Sequence, residues 1–136
     1  MKNRDYISIV IVMFLLLFNA GCMPTLYSIE SVRSTNREGL LKLSRGMLKV
    51  QVLNSMLSGT YKTDGGIINN PYRNETLKGK DGDIYDILFY YTDIKAQDGA
   101  ITDDELTPIV FKDDKLIGWG WSFMQDTIGK YEIRIR

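Results

Sequence analysis

Apolar residues fall along this chain in distinct patterns, and each pattern predicts a different element. Residues 7–18 form a nearly unbroken apolar run. Further on, Ser34 or Thr35 is placed to cap a short helix running through Leu43, with Glu38 three or four residues on as in a capping box and Leu40, Leu41 and Leu43 as its apolar face. After the break at Ser44-Arg45-Gly46, Val52, Leu53, Met56 and Leu57 take the i, i+1, i+4, i+5 spacing of a second buried helical stripe, over about residues 48–57, with Gly59 as its stop. Residues 60–83 are rich in glycine and asparagine and poor in large apolar side chains, which predicts one long loop. Residues 84–94 are aromatic and β-branched without Gly or Pro, the composition of a strand. Residues 107–112 and 115–124 follow as a hairpin around the Asp113-Asp114 turn, with Pro108 acceptable only at a strand start or an edge. Alternation along 115–124 places Ile117, Trp119, Trp121 and Phe123 on one face, expected to be buried against Val52, Leu53 and Met56. Tyr131, Ile133 and Ile135 alternate with charged residues, as either an edge strand or a frayed tail would.

The first run changes the picture most. Lys2 and Arg4 precede it, and it closes on Ala20 and Gly21 before Cys22, the only cysteine in the chain. As a helix, about a dozen residues cover roughly 18 Å against a hydrocarbon core of about 30 Å, so the segment predicts an export signal better than a membrane span. The expected organisation is a signal peptide at 1–21, a tether at 22–33 and one α+β domain at 34–136. Its ending, F-N-A-G-C, resembles the lipobox of bacterial lipoproteins, which implies a mature chain that starts at a lipid-modified Cys22. An uncleaved N-terminal anchor is the alternative, and both readings tether the chain to a membrane. The residue after the cysteine is Met23 rather than Asp, which by the same resemblance implies transport to the outer membrane.

Composition removes several kinds of chemistry. The whole chain is electrically neutral, and loss of 1–21 takes away Lys2, Arg4 and Asp5, so bulk charge offers nothing to nucleic acid. The chain has no histidine, hence no Ser-His triad, no imidazole metal ligand and no side chain with an unperturbed pKa near neutrality. One cysteine allows no internal disulfide, so the domain must be held by its core. Residues 98–106 resemble the second half of an EF-hand loop, with Gly99, Ile101 and Glu105 in the places of the glycine, the apolar residue and the last carboxylate. The first half fails, because Ile94 and Ala96 offer no side-chain oxygen, and the expectation is a solvated acidic loop. Asp103, Asp104, Glu105, Asp113 and Asp114 are the available carboxylates for glycosidase-type chemistry, but as sequence neighbours on turns they do not predict a facing pair. No catalytic residue, metal or cofactor is read from the sequence, and Cys22 is the one site residue assigned.

Gly46-Met47, Val52-Leu53, Met56-Leu57 and Gly59 together resemble the G-M-x-x-x-x-V-x-x-x-L-G signature of the BamE-like (SmpA/OmlA) outer-membrane lipoproteins. The resemblance implies two short helices packed on one face of a three-stranded antiparallel sheet behind a lipidated cysteine. It also implies a non-catalytic scaffold or accessory subunit that binds another envelope protein, in outer-membrane protein assembly or envelope integrity. A periplasmic ligand-binding or inhibitor domain on the same fold is the alternative from another class.

Overall fold

The computed structural model describes residues 27–129. The signal segment, Cys22 and the C-terminal alternation from Tyr131 lie outside the described residues. Within them the chain is α+β, running α1 (Ile29–Leu40), α2 (Lys49–Ser55), β1 (Gly59–Thr63), β2 (Gly66–Asn70), β3 (Arg73–Lys78), β4 (Ile84–Tyr91), β5 (Leu106–Lys112), β6 (Lys115–Trp119) and α3 (Trp121–Ile128). Strands β3-β4-β5-β6 make one antiparallel meander, and β1 and β2 form a separate hairpin.

The meander is buried on both faces, which explains why β4 is a near-continuous run of large apolar residues where a one-sided sheet would alternate with polar ones. On one face Tyr85, Ile87, Phe89 and Tyr91 join Leu106 and Val110 in a cluster with Val32, Ile68 and Met124. On the other, Leu88, Tyr90, Ile109, Phe111 and Leu116 pack with Leu43, Val52 and Met56. The sheet thus has four strands rather than three, β3 being added at its β4 edge, and the first two helices do not share one face: Val52 of α2 packs on one side, Val32 of α1 with Met124 of α3 on the other.

Three expectations are corrected. Residues 29–33 are not tether: Ser28 caps α1, its hydroxyl accepting from Ser31 N at 2.9 Å, and Glu30 sits in the first turn. The helix buries Val32, Asn36 and Gly39, a helical stripe with only one large apolar member, so hydrophobic periodicity does not reveal it. Residues 60–83 are not one loop. They fold as β1, β2 and β3, whose inward positions include the polar Thr63, Asn70, Arg73 and Glu75, and Asp64-Gly65, a strong hairpin dipeptide, turns the first pair. Finally, residues 121–124 are helix, because Gly120 takes φ 90° and turns the chain out of β6. Trp121, Met124 and Ile128 fit an i, i+3, i+7 stripe as well as Trp119, Trp121 and Phe123 fit a strand.

The Asp113-Asp114 turn is as expected, with positive φ at both residues. Ile117 is an extra residue between the Val110–Gly118 and Phe111–Leu116 pairs, a bulge that brings Leu116 and Trp119 to the same face. Trp119 therefore meets the Val52, Leu53 and Met56 cluster, while Trp121 lies on the opposite face, its ring 5.7 Å from Phe89 and its Nε1 donating to Leu106 O at 2.8 Å. Pro108 sits in a central strand but near its start. Its carbonyl accepts from Gly120 N at 2.8 Å, so its missing N–H faces the side where β6 has already ended.

Gly39 is where α1 meets α2. A Cβ there would lie 2.6 Å from Met56 Sδ and 2.9 Å from Ser55 O. Alanine favours a helix over glycine by about 1 kcal/mol, yet Gly39→Ala should lower stability by about 1–2 kcal/mol, because backbone and sulfur must both move. Chemical denaturation of the purified domain measures this, and a stabilised variant would mean that the two helices do not touch at Gly39.

Candidate functional site

Several of the charged residues hold elements together. Arg73, half buried on β3, places its guanidinium 4.2 Å from the centre of the Phe89 ring and pairs with Asp103 at 2.7 Å and Glu75 at 2.8 Å. This ties the loop before β5 to the opposite edge of the sheet. Lys112 pairs with Asp83 and lies 3.7 Å from Asp81, which accepts from the Tyr85 hydroxyl at 2.6 Å and from Asp83 N at 3.0 Å. That hydroxyl is the main reason the Asp81 carboxyl is held below its ordinary pKa.

At the start of α2, Lys49 Nζ donates to Asp86 on β4 at 3.0 Å, and Thr76 donates to the second carboxylate oxygen at 2.8 Å. The Lys49 bond, then the Thr76 bond, lower the Asp86 pKa. A depressed carboxyl stabilises the fold above its unfolded pKa, and that contribution is lost as pH falls through the folded value. Asp86→Asn should thus cost a few tenths to about 1 kcal/mol at pH 7, the range of a partly exposed pair. The gap to wild type should close below about pH 4. Urea midpoints measured from pH 3 to 8 check it, and a gap that persists at pH 3 would assign the cost to something other than this ion pair.

The acidic stretch 98–106 is neither an EF-hand nor the solvated loop the sequence suggests. Asp103 and Glu105 are buried, the latter only 1 % exposed. Glu105 accepts from the backbone N–H groups of Lys95 at 2.7 Å, Ala96 at 3.4 Å and Thr102 at 3.0 Å. The carboxylate that would close a calcium loop instead organises the backbone around itself. Asp113 and Asp114 lie on the β5–β6 turn, away from this group, and among the described residues no three acidic or thiol side chains are gathered as a metal site.

Two surface regions remain. Leu48, Lys49, Val50, Leu53 and Asp114 line a shallow groove along α2, in which Leu48 and Val50 are about half exposed. The second region lies where the chain enters the domain. Tyr27 N donates to Lys62 O at 3.2 Å, Asp64 N donates to Tyr27 O at 3.2 Å, and Asp64 Oδ1 accepts from Ile29 N at 2.8 Å, so the start of the fold is pinned to the β1–β2 turn. Beside it a cleft of about 380 Å³ is lined by Ile29, Gly65, Tyr91, Ile94 and Ile101, among others. A second cleft of about 250 Å³ adjoins it through Ile29 and Gly65 and extends to Ile67 and Tyr72. Both are lined mainly by apolar or small residues, with Glu30 on the wall of the first. Sequence reading misses this region because its members come from four separate segments, two of them inside the supposed loop. The Asp64-Gly65 dipeptide is the one local signal that marks it.

Among the described residues no helix is long and apolar enough to cross a membrane. No curated protein and no solved structure matches the chain. A family model does: residues 23–126, well over half of the sequence, match it. The chain therefore belongs to the family described as "Protein of unknown function (DUF3192)".

Proposed function

We propose that this protein is a lipid-anchored component of the bacterial cell envelope, held at the outer membrane through Cys22. It works there by binding another envelope protein and performs no turnover of its own. The observation that carries the reading is the N-terminal pattern: two basic residues, a short apolar run, Ala20-Gly21 and the chain's only cysteine. The family match beginning at Met23, directly behind that cysteine, supports it. The α1-α2 pair followed by a strand meander is in keeping with the BamE-like resemblance, and with a scaffold role in outer-membrane protein assembly or envelope integrity. The use of Arg73, Asp103, Glu105, Lys49 and Asp86 as structural ties also favours a binding role.

Mass spectrometry of the mature protein should find an N-terminal acylated Cys22. Residues 1–21 still attached to an unmodified Cys22 would overturn the anchor. For the partner, a photocrosslinker at Leu48 or Val50 on α2, followed by mild-detergent purification, should capture another envelope protein, less so from the Cys22→Ala variant. The apolar cleft beside Ile29 favours a second reading, a ligand-binding domain. Recovery of the protein alone with a tightly held small molecule would decide for it.

A further inference from the structure

We propose that the end of the domain formed by the β1–β2 turn and the 94–101 loop docks directly on the lipid bilayer, with Ile67 and Ile94 as its inserting side chains. This rests on the anchor at Cys22.

The length of chain before the fold argues it. Tyr27 lies five residue steps from Cys22, which at full extension reach about 18 Å. A domain of about 100 residues has a radius of gyration of about 13 Å, so it is wider than its tether is long and cannot turn an arbitrary face to the membrane. Tyr27 fixes which face that is. Its backbone bonds to Lys62 and Asp64, and its ring packs edge-on against Tyr61 at 4.9 Å, so the anchor is delivered beside the β1–β2 turn. There two large apolar side chains stand out into water. Ile67 is 79 % exposed at the hairpin, Ile94 is 40 % exposed, and Tyr72 and Ile101 border the clefts around them.

Charge argues for the lipid interface in general rather than for an anionic headgroup. Nearby Asp64 is bonded to Ile29 N and Asp98 to Ala100 N, and Lys95 is paired with Asp93. Among the described residues no basic cluster faces this end, so docking draws on apolar burial and on the high effective concentration that a tether confers. Leu41, 88 % exposed, is the contrasting position: it follows the far end of α1, about 18 Å along the helix from Ile29.

Because Cys22 is the only native thiol and is acylated in the mature chain, one added cysteine gives a unique labelling site. The full-length lipidated protein is prepared as Ile67→Cys, Ile94→Cys and Leu41→Cys variants, each carrying an environment-sensitive fluorophore. Each is reconstituted in neutral phosphatidylcholine vesicles with and without a nitroxide on the acyl chains. The labels at 67 and 94 should shift to the blue and be quenched several-fold more than the label at 41, with no loss in high salt. Equal quenching at all three positions would overturn the proposal. So would a blue shift at 67 without nitroxide quenching, which would place a protein or a small ligand there instead. Intact mass and vesicle flotation of the same samples separate the two readings. An acylated, floating protein with an unquenched label at 67 refutes only the docking, whereas an unacylated protein that does not float refutes the anchor and the docking with it.

Discussion

Replacing Glu105 with alanine is expected to destabilise the fold by about 3–5 kcal/mol, as removal of a buried, fully engaged carboxylate does. The side chain is 1 % exposed and both oxygens are occupied, one by the N–H groups of Lys95 and Ala96 and the other by that of Thr102. Alanine leaves these donors facing a cavity that water enters only by opening the loop. Glu105→Gln keeps the volume but offers a single oxygen and turns an NH2 group toward one of the amides, so its cost should fall between wild type and alanine. Equilibrium denaturation gives the totals, and hydrogen exchange should show the amides of Lys95 and Thr102 losing protection before those of β4. If Glu105→Ala melts like wild type, the 93–105 loop is not held by this carboxylate.

The second large effect is expected at Asn36 and Asn70. Asn36 Nδ2 donates to Asn70 Oδ1 and to Tyr91 O, each at 2.9 Å. Asn70 Nδ2 donates back to Asn36 Oδ1 at 2.7 Å and also to Leu57 O. Both side chains are buried, at 0 % and 2 % exposure, and the reciprocal pair joins α1, the end of α2, β2 and β4 at one point. Either alanine variant strands the other amide and one backbone carbonyl, so each should cost about 2–4 kcal/mol. The double variant should cost clearly less than the sum, by about 1–2 kcal/mol, because the second truncation removes a group already left without its partner. A double-mutant cycle measures this, and strict additivity would mean that the two amides act separately.

These two groups also mark where the sequence was legible. Val52, Leu53 and Met56, the β4 run and the β5–β6 hairpin are readable because their inward positions are large and apolar and the hairpin's turn residues tolerate positive φ, whereas Leu57, of the same expected stripe, lies past the end of α2 and packs on the opposite face. Apolar periodicity puts the cap of α1 at Ser34 or Thr35, six or seven residues past Ser28, and its end three residues past Leu40, since Asn36 and Gly39 occupy its inward stripe and Leu41, which helps define an apolar face, points to solvent. The β1–β3 region reads as a loop because Thr63, Asn70, Arg73 and Glu75 face inward, and their burial depends on partners far along the chain. At 115–124 two periods competed, and Gly118 decides where one gives way to the other. A Cβ there would lie 2.6 Å from the Phe123 ring, so the glycine makes room for a helix folding back over the strand it follows. The cleft beside Ile29 has no signature of its own, being assembled from residues that only the fold brings together.

The short connection between α1 and α2 has a consequence for the order in which the protein folds. Gly46 N donates to Leu116 O at 2.7 Å, Leu116 N donates to Met47 O at 2.8 Å, and Leu48 bridges Lys115, so residues 46–48 run along β6 and close that margin of the sheet. The partners stand about 70 residues apart, a separation that makes this closure slow and late relative to the local β5–β6 hairpin. Until it forms, β6 carries an unpaired row of backbone groups, the structure most open to pairing with another unfolded chain. If the chain is exported unfolded, as proposed, it passes through that state on the far side of the membrane. The Gly46-Met47 segment then acts as the last stitch, ending the interval in which two copies can mistake each other for their own missing strand.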